Sequence, residues 1–407
     1  MPNPNPTAPL GDHNQSDTST DVPFASPAAA TGEAHVTTPQ RYDALLLAGF
    51  GGPEGQEDVL PFLRNVTAGR GIPDERLEEV ATHYRHFGGV SPINAQTKQL
   101  REALEKELQR RGMDLPVYWG NRNWTPYMED AVTAASDAGH TRLLTIATSA
   151  YSSYSSCRQY REDFARALVN TGLAGKVTID KVRQYFDHPG FVTPFIEGVD
   201  KALRQFEAEG LAPEQIRVLF ATHSLPTTDG ERSGPPELSL GDGGAYAAQH
   251  EAVGSVIMEQ LRAELPSRAG TQWELVYQSR SGPASQPWLE PDVCDRIAEL
   301  PDEDVKAVII VPLGFLSDHM EVLWDLDEEA LEAADDAGLR ALRTATPGVH
   351  PEFVKGLVDL VQERMNAVPV DQREHLTTLG PWYDVCRPGC CENVRRGFGP
   401  AAAGLVP

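Results

Sequence analysis

The sequence contains no apolar run approaching the roughly 20 residues that a membrane-spanning helix needs. Its amino terminus lacks the basic start and apolar stretch of a signal peptide. It also lacks the arginine-rich, acid-poor make-up of an organelle presequence, because Asp12, Asp17, Asp21 and Glu33 are its only formally charged side chains before Arg41. Positive charge is scarce throughout: 35 lysines and arginines stand against 59 aspartates and glutamates, a formal net charge of −24. A phosphate backbone needs a basic face, so nucleic acid is excluded as a partner. A small anionic ligand is not excluded, since an acidic protein can still hold a local basic pocket. Cysteine is scarce as well, at five in 407 residues, too few for a disulfide-built scaffold. These absences lead us to expect a cytoplasmic protein with no transmembrane segment.

Enough hydrophobic residues are present, 40% of the chain, to bury two ordinary cores. Residues 1–40 are rich in Pro, Ala, Thr, Ser and Asn and carry few large apolar side chains, so the reading is a disordered tail. From Tyr42 short apolar runs recur at Ala44–Ala48, Val117–Trp119, Leu143–Ala147, Val177–Ile179, Val218–Ala221, Leu275–Tyr277 and Val308–Pro312, each the length of a buried strand. Helical periodicity lies between them, as at Gln96–Leu108, Phe195–Glu209 and Ala247–Leu265. Alternating strand and helix predicts α/β architecture with parallel, doubly wound sheets. Asp187-His188-Pro189-Gly190 punctuates the pattern, giving domains over 41–187 and 188–348, with a final helix at Pro351–Met365 inside a loop-like carboxyl-terminal segment, 349–407. Thr227–Gly244, dense in Gly, Pro and acids, reads as a surface lid or hairpin loop.

Three segments carry candidate chemistry. Ser317–Glu329 follows the strand Val308–Pro312, and ligand sites in α/β sheets lie at the carboxyl ends of strands. On a helix, Glu321, Asp325 and Glu329 would each be displaced about 40° and about 6 Å from the last, forming one acidic stripe. Such a stripe is either a solvated face or a row of hard oxygen ligands for a divalent cation. His223, in Phe220–Pro226, stands just past a strand end, where imidazole can accept a proton or ligate a metal. Gly49-Phe50-Gly51-Gly52-Pro53 follows the first strand and allows close approach of backbone to a ligand, but its spacing is not a dinucleotide fingerprint.

Taken in order, Leu46–Pro53, Gly88–Pro92, Thr222–Pro226, Gln278–Pro283 with Pro287-Trp288-Leu289, and Gly314–Asp325 resemble the ferrochelatase family over roughly Tyr42 to Met365. The resemblance implies two Rossmann-like domains with a porphyrin cleft between them. It implies an enzyme of haem biosynthesis that inserts ferrous iron into a porphyrin. Metallation releases two pyrrole protons, and the resemblance makes His223 and Glu321 the catalytic pair, with His223 the base and iron contact. Asp325 and Glu329 become the outer path for Fe²⁺ or protons, and Ser91, Tyr160 and Phe50 become substrate-pocket residues. Related soluble bacterial enzymes carry a tyrosine where this chain has Phe50, and phenylalanine cannot ligate iron. That soluble branch uses coproporphyrin III, whose four propionates need local cations, for which Arg64, Arg70, Arg76, Arg85 and Arg122 are candidates. Other haem-pathway enzymes are the partners to expect.

Cys386-Arg387-Pro388-Gly389-Cys390-Cys391 offers three thiolates, and an all-cysteine [2Fe–2S] cluster needs four. Many ferrochelatases place one cysteine near the position of Cys157, which makes Cys157 the fourth. Zinc is the rival metal, and Cys294 reads as a small buried hydrophobe. Three other readings stay open: protoporphyrin IX as substrate, a non-catalytic porphyrin or haem carrier on the same scaffold, and a cobalt chelatase acting on a reduced tetrapyrrole.

Overall fold

The computed structural model describes residues 34–69, 71–281, 285–393 and 399–404. Among these residues, eight strands form two parallel sheets. The first holds β1 (Ala44–Gly49), β2 (Val117–Asn121), β3 (Arg142–Ala147) and β4 (Thr178–Lys181) in the order β2-β1-β3-β4. The second holds β5 (Ile216–His223), β6 (Gln272–Gln278), β7 (Ala307–Val311) and β8 (Arg340–Arg343) in the order β6-β5-β7-β8. Every residue of β1 and β7 is buried. Helices on both faces explain this, and the result is the continuous apolar run expected of a central parallel strand.

Among the described residues, twelve α-helices connect and cover the sheets. In the first lobe these are α1 (Val59–Val66), α2 (Asp74–His86), α3 (Ile93–Arg110), α4 (Met128–Asp137) and α5 (Gln159–Asn170). The second carries α6 (Pro189–Ala208), α7 (Thr227–Glu231), α8 (Gly244–Glu264), α9 (Val293–Glu299), α10 (Met320–Val322), α11 (Ala330–Asp336) and α12 (Pro351–Asn366). Pro189 opens α6, its missing N–H costing nothing at a helix start, and His188 caps it by accepting from Gly190 N. The largest core cluster runs through both lobes, joining Leu45 and Leu47 of β1 to Val218 of β5 and Leu357 of α12.

Four details differ from the sequence reading. The eighth strand, Arg340–Arg343, is a polar edge strand with no buried residue and so left no apolar run to read. The 227–244 segment is not a free lid: it begins with α7, and Ser233, Gly234 and Pro235 are buried. Residues 34–40 are ordered against the carboxyl-terminal segment, with Val36 N donating to Asp384 and Val385 N to Ala34 O. Residues 1–33 and Arg70 lie outside the described residues. Finally, Leu323–Glu329 is π-helical and runs on from α10 into α11. The acidic stripe therefore sits on a widened turn, a device found mostly at functional sites.

Candidate active site

His223 is the last residue of β5, at the carboxyl end of the second sheet. Its Nδ1 lies 2.5 Å from Ser224 O. A carbonyl oxygen only accepts, so Nδ1 carries the hydrogen and Nε2 is the free lone pair of the neutral ring. That Nε2 is 3.8 Å from Oε2 of Glu321. The backbone under the histidine is pinned: Tyr246 of α8 donates from its hydroxyl to His223 O at 2.9 Å and shares a 2.7 Å hydrogen bond with Thr222.

Glu321 enters through a helix start built by His319, whose Nδ1 accepts from Glu321 N and Val322 N. Burial lowers the His319 pKa, with the nearby Glu321 charge opposing. One α-helical step and a π-turn further on, Asp325 is held by the end of β6. Gln278 Nε2 donates to Asp325 at 3.1 Å and to Glu321 O at 3.1 Å, and the Ser279 hydroxyl donates to the same Asp325 oxygen. Ser279 has φ +60°, a left-handed conformation rare for a residue with a side chain, and that turn aims its hydroxyl at Asp325. Burial, then the Glu321 charge, push the Asp325 pKa up to about 7, against the two hydrogen bonds. Glu329 accepts from Trp324 Nε1 at 2.8 Å. None of Glu321, Asp325 and Glu329 has a lysine or arginine partner among the described residues.

The first lobe supplies an apolar lip. Met320 packs into a cluster with Val59, Phe62, Leu63, Leu77, Ala81 and Tyr84, so the α1–α2 hairpin lies directly beside Glu321. Trp324 stacks on His83 of α2 at 3.9 Å between ring centroids. Phe50 is 37% exposed and meets Phe62 edge-on, in a turn where Gly51 has φ +83° and packs on Asn121. Ser91 is buried against this turn: its N–H donates to Pro53 O, and a Cβ on Gly52 would stand 2.7 Å from the Ser91 Cβ.

Tyr160 is placed differently. It is buried in the first-lobe core with the Arg122 guanidinium 4.0 Å above its ring. Arg122 is already bound to Asp163 at 2.5 Å. The other described arginines suggested for propionate binding also have carboxylate partners: Arg64 with Asp74, Arg76 with Glu79 and Arg85 with Glu78. Those three pairs are exposed, and such pairs hold by only about 0–1 kcal/mol, so they can open to an anionic ligand. Gln278, Ser279 and Tyr246 had no role assigned from sequence. Gln278 and Ser279 follow the run Leu275–Tyr277, and position at a strand's carboxyl end was the signal that could have found them.

Four of the five cysteines stand near one another. Cys157 Sγ is 3.8 Å from Cys386 Sγ, and Cys390 Sγ is 3.8 Å from Cys391 Sγ. Cys386 and Cys390 perturb one another's thiols, which links the two pairs. All are free thiols. Cys391 exchanges backbone and sulfur hydrogen bonds with Gly234 of the second lobe. Cys294 is elsewhere, half-buried against the second core.

An imidazole lone pair facing a carboxylate, two further carboxylates with no described lysine or arginine partner and an apolar lip beside them make a set of groups able to take up protons and hold a divalent cation. The fold and site thus define a chelatase. The ferrochelatase family model matches residues 42–365. A coproporphyrin III ferrochelatase of Leifsonia xyli subsp. xyli is 65% identical over 394 residues, covering 94% of this chain and 99% of that protein. Coproporphyrin III ferrochelatases of Tropheryma whipplei (strain Twist) and Streptomyces griseus subsp. griseus are 55% identical over 367 residues and 50% over 377, each covering 90% of this chain and 93% and 97% of the relative. The chain belongs to the ferrochelatase family. Among solved structures, a sirohydrochlorin chelatase from Bacillus subtilis subspecies spizizenii, in complex with cobalt, superposes with a TM-score of 0.43 at 12% identity, over 82% of this chain and 100% of that chain.

Proposed function

We propose that this protein inserts Fe²⁺ into coproporphyrin III, releasing two protons, as a step of haem biosynthesis. The observation that carries the mechanism is the free Nε2 of His223 facing Glu321 across 3.8 Å. His223 takes a pyrrole proton at Nε2. Glu321 stabilises the imidazolium that results and offers an oxygen to iron. Asp325, with a pKa near 7, can accept the proton in turn or hold the incoming cation. Gln278 and Ser279 fix its orientation, and Glu329 forms the outer end of the path. Ser91 and Phe50 line the pocket on the first-lobe side. Tyr160, buried beneath Arg122, supports the pocket from behind. No described helix is long and apolar enough to cross a membrane, and a cytoplasmic setting, with the product passed to a later haem-pathway enzyme, suits that absence.

The cysteine quartet fits a [2Fe–2S] cluster better than zinc. A single tetrahedral zinc with Zn–S bonds of about 2.3 Å draws four sulfurs to within about 3.8 Å of one another. Here the sulfurs stand as two 3.8 Å pairs, and the only described metal-ligating trio within 4.8 Å is His188, Asp359 and Glu374. A cluster uses two thiolates per iron. Cys157, Cys386, Cys390 and Cys391 would hold it, and when bound it supplies a one-electron redox centre and a staple between lobes and tail.

Turnover separates this reading from a carrier. With porphyrin and anaerobic Fe²⁺ in large excess over protein, the absorbance of the metalloporphyrin should keep growing through many equivalents. Growth that stops at one equivalent per chain would make the protein a carrier.

A further inference from the structure

Arg161 lies four residues after Cys157, on the same face where the π-helical turn Tyr154–Arg158 runs into α5. It is 3% exposed. Its Nε donates to Ala402 O at 2.8 Å, and its own carbonyl accepts from Ala402 N at 2.9 Å. Its buried Nη1 has no partner. Cys386 pairs with Gly404 in a parallel bridge, and a Cβ on Gly404 would stand 1.7 Å from Arg161 Nη2. The 399–404 segment therefore holds the guanidinium against the backbone that pairs with Cys386. A second cation, Lys181 at the end of β4, is also 3% exposed, and its ammonium donates only to Val182 O and Gln184 Oε1. Neither cation has a carboxylate partner among the described residues. Burial works against the Arg161 charge, and the four cysteine sulfurs favour it, Cys386 foremost; Lys181 in turn bears on Cys157 and Cys386.

Lysine and arginine are almost never fully buried unless paired, because an unpaired buried charge is costly. Beside four neutral thiols Arg161 and Lys181 would be such charges. Two ferric ions, two sulfides and four thiolates sum to a dianion, and one-electron reduction makes it a trianion. We infer that Arg161, backed by Lys181, is the counter-cation of an anionic iron–sulfur group held by Cys157, Cys386, Cys390 and Cys391, and that it sets the reduction potential of that group. This rests on the cluster reading above and names what makes a buried cluster tolerable at this place.

The test uses full-length protein purified anaerobically, with iron and acid-labile sulfide assayed first and the midpoint potential then measured by visible and electron paramagnetic resonance titration. Removing the cation destabilises the trianion more than the dianion. Arg161→Gln should lower the midpoint by about 59 mV or more, the value of a tenfold change for a one-electron couple. Arg161→Lys keeps the charge and should stay nearer the parent. If Arg161→Gln fails to fold, Lys181→Met provides the same sign of shift on a smaller scale. A parent with iron and sulfide whose Arg161→Gln or Lys181→Met variant keeps the parent potential overturns the inference alone. A parent with neither iron nor sulfide overturns the cluster reading and the inference together.

Discussion

The two chemical sites of this molecule handle charge in opposite ways. At the cleft, Glu321, Asp325 and Glu329 follow one another along a helical segment with no described lysine or arginine to offset them, and burial, then the Glu321 charge, pushes Asp325 up to about 7. At the cysteine site, buried Arg161 and Lys181, whose charges bear on Cys386 and Cys157, have no carboxylate partner among the described residues. The first is crowded with negative charge and partly open, which suits the proposed passage of a cation. The second is sealed and positively charged, so it suits an anionic group that stays. The cleft is also held by long-range hydrogen bonds and one strained residue, whereas the cysteine site is held by backbone pairing at 386–404 and 391–234.

Substitutions can break this comparison at either end. The largest effect is expected from His223→Ala, which removes the proposed proton acceptor and should cut metallation roughly 10²–10⁴-fold. Porphyrin affinity, followed by fluorescence quenching, should change little. Next, if the proposed cluster is held there, Cys157→Ser should bleach its visible absorbance and lower the melting temperature by several degrees, because the unfolded chain offers no preformed metal site. Cys294→Ser should leave both unchanged; a loss of colour there would misplace the ligand set.

A smaller effect is expected from Asp325→Asn and Glu329→Gln, which should raise the KM for Fe²⁺ several-fold more than the KM for porphyrin. Equal effects on both substrates would reduce the stripe to a solvated face. Asp325→Asn should also change the pH dependence of stability. Because the folded pKa near 7 lies above the unfolded value of about 3.9, the folded state binds more protons between those values. Stability at this group is therefore lost as pH rises from about 4 to about 7, and urea midpoints measured across that window should flatten in the variant. The mildest change, Tyr246→Phe, removes the hydroxyl that ties α8 to His223 O. It should lower kcat a few-fold with porphyrin KM unchanged, and a change confined to KM would contradict the positioning role.

The legible parts of the fold were those where burial leaves a mark in composition. Val308–Pro312 reads as a strand because both its faces are covered, and β8, Arg-Ala-Leu-Arg at an edge, does not. His223 and Glu321 were legible through their place after strands together with the resemblance. The π-turn at Leu323–Glu329 was not, since its five-residue hydrogen bonds leave no pattern that differs from an α-helix. Nothing in the sequence marks Arg161 or Lys181 as buried, and for Arg161 the covering contact comes from a tail 241 residues away. The arginines proposed for propionates met the opposite fate: sequence shows a cation but not the carboxylate beside it.

The central claim is iron insertion into a porphyrin with four propionates, and one assay tests it directly. Under anaerobic conditions, Fe²⁺ insertion should be measured by absorbance with coproporphyrin III and protoporphyrin IX side by side, at equal protein and below saturation. The account predicts a kcat/KM for coproporphyrin III at least tenfold the higher of the two. Equal or greater efficiency with protoporphyrin IX would contradict it.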